Sequence, residues 1–263
     1  MRTRRRFGWL LSAVAVLLSA CGDGPVDAIE LVPGGLSDGL VAHWTFDDGA
    51  GNVVSDSSGN LRNGTITSAN PDWLAQGQFG GALRLNLGDF VIVNSFPDAS
   101  KNWTISSWVQ IASEDLVAST DATANVETVI STEKVFQGGW EMNLGLPTTG
   151  TYYHFGYWTG PGQYDYDYFD CEGCFHPGQW QHLSVVVDGG ASTLAFFLDG
   201  VLQVREPITR TISPGLPTLY MGRWADPGQT GERFLVGSLD DIAIWSRALA
   251  AQEIALLDQA PPP

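Results

Sequence analysis

The feature that most constrains this chain is a strict two-residue alternation broken by glycine turns. Leu183, Val185 and Val187 fall on one side, Asp188-Gly189-Gly190 reverses the chain, Leu194, Phe196 and Leu198 alternate again, and Asp199-Gly200 turns it once more. A period of two is that of a strand, and turns rich in Asp and Gly join antiparallel neighbours, so these residues predict successive β-hairpins. Phe90–Val93 and Ile105–Ile111 read as further strands, with Trp103 and Trp108 at regular places. One helix is expected, from about Ala248 to Leu257, where Leu249, Ile254 and Leu257 share a face. The class is all-β, two antiparallel sheets with a short C-terminal helix, and ten tryptophans give such a sandwich ample core area.

The first residues belong to a different grammar. Arg2, Arg4, Arg5 and Arg6 precede an apolar run from Phe7 to Leu18, too short for a permanent membrane span and suited to an export signal. The run closes on Leu18-Ser19-Ala20-Cys21, which resembles the lipobox of bacterial lipoproteins. The expected organisation is a signal peptide at 1–20, a lipidated flexible tether at 21–37 starting at Cys21, a folded domain at 38–258, and a tail at 259–263 ending in three prolines. That predicts export and a lipid anchor in the bacterial envelope, at the outer membrane or cell surface.

Loss of the leader removes four arginines and no acid, moving the formal charge from −16 to −20. So acidic a surface has little with which to displace counterions from phosphates, which excludes nucleic acid as a partner and suits solubility or divalent cations. With Cys21 lipidated, Cys171 and Cys174 remain, and an oxidising compartment predicts that they pair as a small loop staple. The same Cys-x-x-Cys spacing also occurs in redox motifs, but no βαβ pattern surrounds it here.

The segment Tyr152 to Cys174 is the most unusual, with six of the seven tyrosines together with Phe155, Trp158 and Phe169. Tyrosine presents an apolar face to a sugar ring and a hydroxyl to its edge, so Tyr153, Tyr157, Trp158, Tyr164 and Tyr166 are candidate glycan contacts on an ordered surface loop. The competing reading packs the same aromatics as ordinary core. No Lys or Arg occurs between Val135 and Val204, which points to a neutral glycan. His154 and His176 have no serine or cysteine nucleophile motif beside them.

Several separated blocks together resemble the laminin-G-like jelly-rolls of the concanavalin A-like lectin and glucanase superfamily. They are Leu40-Val41-Ala42-His43-Trp44-Thr45-Phe46-Asp47-Asp48-Gly49 with the turn from Asp56 to Thr65, Phe79-Gly80-Gly81-Ala82-Leu83, and Thr104-Ile105-Ser106-Ser107-Trp108-Val109. Trp180-Gln181-His182-Leu183 through Asp199-Gly200, Gly237-Ser238-Leu239-Asp240-Asp241-Ile242 and Trp245-Ser246-Arg247-Ala248-Leu249 complete the set. The resemblance implies a concanavalin-like jelly-roll sandwich. It also implies a structural Ca2+ where the first and last strands meet, at Asp47 and Asp240, helped by Asn63 or by backbone carbonyls of the turn 58–65. The other reading of these acids is a turn at Asp47-Asp48 and a solvated edge at Asp240-Asp241. The family usually has Tyr where His43 stands and a Ser or Thr cap where Ala250 stands, so the last helix is expected to fray at a cost of about 1 kcal/mol.

Some glucanases of the superfamily carry two glutamates and an aspartate on one bulged strand. Asp165-Tyr166-Asp167-Tyr168-Phe169-Asp170 has that spacing, with Asp165 and Asp170 as the outer pair. All three acids are aspartates, each outer one a methylene short, so catalysis is the weaker reading. The leading expectation is a tethered, non-catalytic, calcium-stabilised carbohydrate-binding or adhesion module. The alternative is a structural or protein-interaction envelope lipoprotein.

Overall fold

The computed structural model describes residues 35–97, 101–111, 126–134, 136–145, 152–170, 176, 178–208, 210–225 and 233–263; the side chains of Tyr152 and of 164–170 fall outside that description. Cys21, Cys171 and Cys174, the lipidation and disulfide positions, therefore lie outside the described residues.

The described residues form two eight-stranded antiparallel sheets and a short helix α1, Ala251–Leu257. The first sheet runs β14 (Val201–Pro207), β13 (Thr193–Leu198), β12 (Gln181–Asp188), β7 (Asn102–Gln110), β16 (Gly237–Trp245), β5 (Ala82–Leu85) and β4 (Asp72–Leu74), with β1 (Leu40–Trp44) also paired to β16. The second runs β11 (Gln163–Asp170), β10 (Tyr152–Gly160), β9 (Trp140–Gly145), β8 (Val126–Ser131), β15 (Thr218–Met221), β6 (Val91–Asn94), β3 (Gly64–Ile66) and β2 (Val53–Val54). The alternation that opened the sequence reading pairs as expected, Leu183 with Leu198, Val185 with Phe196 and Val187 with Leu194.

Between the sheets, every second side chain enters one apolar core. Trp103 of β7 stacks on Trp140 of β9 at 5.0 Å between ring centres, and Phe155 of β10 lies 5.4 Å from Trp103. A second, smaller cluster on the outer face of the first sheet, Val186, Ala195, Phe197, Ala243 and Trp245, is covered by Leu249, Ile254 and Leu257 at the helical end. Because both faces are occupied there, β16 is buried along its whole length.

Two sequence expectations change. The segment 152–170 is not a loop: β10 and β11 pair as a hairpin at the edge of the second sheet, turning at Pro161-Gly162. Helix α1 does lack a side-chain cap at Ala250, but the Glu253 carboxylate accepts the Ala250 N–H at 2.9 Å and is itself gripped by Arg247 at 2.6 and 2.8 Å. An orphan donor of the first turn is thus satisfied from within the helix, which offsets the missing hydroxyl.

Candidate functional site

The two faces of the second sheet have opposite chemistry. One ladder position runs from edge to edge through Val53, Thr65, Ile92, Tyr220, Ser131, Glu141, Gly156 and Tyr166. Its neighbours one residue away, among them Val91, Leu219, Met221, Met142, Phe155 and Tyr157, belong to the core, so this row faces away from it. Along the row the environment changes: Val53 and Thr65 are exposed, Ile92 and Tyr220 half-buried, and Ser131 and Glu141 buried. The face is open over β2, β3, β6 and β15 and covered over β8, β9 and β10.

At the boundary sits a polar network. Glu133 is buried, and its two carboxyl oxygens accept indole N–H groups from Trp158 at 2.6 Å and Trp224 at 2.7 Å. Glu141, also buried, receives both its oxygens' hydrogen bonds from one Arg233 nitrogen at 3.0 Å, and that guanidinium lies 4.4 Å over the Trp224 ring. Desolvation and then the charge of Glu141, which also hydrogen-bonds it, hold the Glu133 carboxyl well above the ordinary carboxylate range. Glu133 is thus held protonated at neutral pH, while the neighbouring Glu141 is paired with Arg233. Asn143 and His154 continue the polar strip, Asn143 Nδ2 lying 3.3 Å from His154 Nδ1. Burial depresses the pKa of that imidazole.

On the open side, Phe90, Tyr220, Trp224 and Phe234 are all half-buried. The Arg223 guanidinium is inserted among three of these rings, 4.6 Å from Phe90, 5.4 Å from Phe234 and 5.8 Å from Tyr220. None of these residues was singled out from sequence, because the rings come from three separated stretches of chain. Tyr220 is the one tyrosine outside the 152–174 run.

The glycan contacts expected from that run do not stand as drawn. Tyr153 and Tyr157 are core residues, Tyr153 with its hydroxyl buried and its pKa driven up by desolvation, and Trp158 is buried with its N–H committed to Glu133. The physical reason is strand parity: 153, 155 and 157 share the face turned to Trp103 and Trp140. The side chains of Tyr164 and Tyr166 lie outside the described residues. The charge argument also needs correction, since Arg233 reaches Glu141 and Arg210 reaches the hairpin at Gln163 Oε1, 3.2 Å away. For the glucanase pattern, the β10–β11 ladder is regular from Asp165 to Asp170, its one irregularity falling between Trp158 and Gly160. The bulge that would bring residues five apart to one face is absent there.

The expected calcium residues divide. Asp47 and Asp240 meet on the same loop: Asp47 Oδ1 accepts the Gly81 N–H at 2.5 Å, and Asp240 Oδ2 accepts the N–H groups of Gln78 and Phe79 at 2.7 and 2.9 Å. Glycine permits this approach, for a Cβ on Gly77 would lie 2.5 Å from Asp240 Oδ2 and one on Gly80 would collide with Asp47 Oδ1. Asn63 is engaged elsewhere, accepting the Asp56 N–H at 2.9 Å. Asp240 is fully buried, its Oδ1 has no hydrogen-bond partner, and desolvation with the neighbouring Asp241 pushes its pKa up to about 7. A buried carboxylate oxygen with nothing to satisfy it is the donor a hard cation takes. Among the described residues no group of three or more His, Cys, Asp and Glu is placed to hold a metal, so two carboxylates would need main-chain carbonyls to complete a shell. Asp241 is not a solvated edge: its carboxylate takes His43 Nε2 at 2.8 Å in a buried pair, which accounts for histidine where the family has tyrosine.

A third constellation has hydrolase residue types and no hydrolase geometry. His182 Nε2 is 2.7 Å from Ser106 Oγ, but its Nδ1 is 3.8 Å from Asp258, beyond hydrogen-bond range. The ring is fully buried, stacked 5.1 Å from Trp108, and its pKa is pushed down to about 3 by desolvation. It is a neutral core histidine.

Comparison with known proteins agrees with this architecture. No curated protein matches the sequence. The binding domain of botulinum neurotoxin serotype D superposes with a TM-score of 0.64 at 18% identity, over 85% of this chain and 52% of that one. The binding domain of Paraclostridial Mosquitocidal Protein 1 gives 0.65 at 18%, over 85% and 52%. The chain thus spans about half the length of those domains. Domain 4 of AbnA, an extracellular arabinanase from Geobacillus stearothermophilus solved in complex with arabinotriose, gives 0.58 at 23%, over 84% of this chain and 98% of that one.

The protonated state of Glu133 makes a pH prediction. Burial raises its folded pKa from 4.5 to about 9, so the unfolded chain binds fewer protons between those values and stability falls as the pH rises through them. The contribution is at most about 1.4 kcal/mol per pH unit. Chemical denaturation between about pH 5 and pH 8 should show a shallower slope for Glu133→Gln than for the wild type, and equal slopes would contradict the raised Glu133 pKa. A model of the concanavalin A-like lectin/glucanases superfamily, Laminin_G_3, matches residues 85–255, and the chain belongs to that family.

Proposed function

We propose that this chain is a non-catalytic carbohydrate-binding module that holds a neutral glycan on the open half of its second sheet. The observation that carries the reading is the set of half-buried rings Phe90, Tyr220, Trp224 and Phe234, fixed from behind by Arg223 and by the Glu133–Glu141–Arg233 network. Such rings offer a rigid platform to the C–H face of a sugar, at little entropic cost. Arg233 is paired with Glu141, and Arg223 is buried with its guanidinium against the rings, so the exposed part of the platform is aromatic. The complex of AbnA Domain 4 with arabinotriose supports carbohydrate binding on this fold, and the regular β10–β11 ladder supports binding over hydrolysis.

Export and tethering through a lipidated Cys21 complete the proposal. They rest on the basic leader, its apolar run and the lipobox-like tetrad, and cell fractionation should find Cys21→Ala released from membranes. Retention of that variant would contradict the anchor.

A structural Ca2+ at Asp47 and Asp240 is the further part of the reading, supported by the orphaned Asp240 Oδ1. When bound, the ion would neutralise two carboxylates that join β1, the 77–81 loop and β16. Calcium should then raise the melting temperature, by the equivalent of about 2.7 kcal/mol at a hundredfold excess over Kd, and Asp240→Asn should abolish the increment. A calcium-independent melting curve would remove the site.

The glycan proposal is tested on an array of neutral oligosaccharides, arabinotriose included. Trp224→Ala should weaken binding by about 1–3 kcal/mol, the usual range for a lost aromatic contact, with the fold intact by circular dichroism. Binding unaffected by that substitution, or no binding by the wild type, would overturn the assignment.

A further inference from the structure

We propose a second ligand site, an anion-recognising cleft for an acidic sugar residue, at the end of the sandwich away from the aromatic platform. A cleft of about 410 Å³ is walled by Lys101 and Asn102 at the start of β7, by Gly189, Gly190 and Ser192 of the β12–β13 turn, and by the connection carrying Ile208, Arg210, Thr211 and Ile212. That size lies within the ordinary range for small-molecule sites, roughly 300–1,000 Å³.

Its charge is the reverse of the protein's. The chain has 29 Asp and Glu against 13 Lys and Arg, and only nine of those cations follow residue 34. Two of the nine line this cleft, and among the described residues no carboxylate does. The nearest acid in sequence, Asp188, does not line the cleft; its carboxylate accepts the N–H groups of Gly190 and Ala191 at 2.9 Å. Lys101 is exposed and has no carboxylate within ion-pair range among the described residues, while Arg210 holds Gln163 at the rim. Cations converging on a concave wall within an acidic surface focus a local positive potential.

The floor decides the rest of the ligand. Val187 and Ile212 are buried apolar side chains and Ile208 is half-buried, so the base accepts a C–H surface rather than a hydrated ion alone. Asn102, Ser192 and Thr211 supply hydroxyl and amide groups around it. An apolar base, hydroxyl-bearing walls and two cations match a sugar ring bearing a carboxylate or sulfate. The cleft does not depend on the aromatic platform, and either site stands if the other fails.

Calorimetry on the full chain, with trigalacturonate, galactotriose, a chondroitin sulfate disaccharide and triglutamate as probes, tests the proposal. At least one anionic saccharide should bind at low salt, weaken as salt rises to roughly 0.5 M, and bind about tenfold more weakly to Lys101→Glu, an exposed substitution that leaves the core untouched. Galactotriose binding should be unchanged by Lys101→Glu. No binding of either anionic saccharide, binding indifferent to Lys101→Glu, or equal binding of triglutamate would overturn it.

Discussion

The buried strip and the open platform of the second sheet are joined through one carboxyl group. Glu133 lies where the covered half of the outer face gives way to the open half, and it accepts one indole N–H from each side, Trp158 from the buried strip and Trp224 from the exposed platform. A buried carboxylate in this position would be costly, and the cost is offset by a raised Glu133 pKa that keeps its proton and by Arg233 paired with Glu141. Arg233 in turn packs over Trp224, so the ring that faces solvent is held at its N–H and across its face. A platform fixed in this way loses little freedom when a ligand arrives.

The same strands serve two purposes because strand side chains alternate. On β9 and β10, Met142, Leu144, Tyr153, Phe155 and Tyr157 close the sandwich, while Glu141, Asn143 and His154 line the polar face. The junction of the first and last strands repeats the theme of buried acid. Asp240 and Asp241 are adjacent and both buried, a placement that the irregularity between Asp240 and Ala243 and the positive φ of Asp241 make possible. One aspartate holds the glycine loop and the other holds His43.

Much of the fold was legible in the sequence, since period-two alternation and Asp-Gly turns are local signals. The pairing of Leu183 with Leu198 follows from them directly. The convergence of Asp47 and Asp240 was legible through family resemblance, whereas Asn63, chosen for its residue type, serves the Asp56 turn. The aromatic platform was not legible. Density of tyrosine drew attention to 152–174, but alternation sends Tyr153 and Tyr157 inward, and composition carries no parity. Phe90, Tyr220, Trp224 and Phe234 come from three stretches of chain, and only the ladder Thr65–Ile92–Tyr220–Ser131 puts them on one surface. Likewise a window free of cations said nothing of Arg210 and Arg233, which arrive from later segments.

The central claim is that ligand meets the open half of this face and not the tyrosine hairpin. Indole N–H resonances separate the two, because Trp224 is half-exposed and Trp158 is buried, although one carboxyl binds both. In a titration with the neutral oligosaccharide that binds most tightly, the account predicts a progressive shift of the Trp224 indole signal larger than that of Trp158. A shift confined to Trp158, with Trp224 unmoved at saturation, would contradict it.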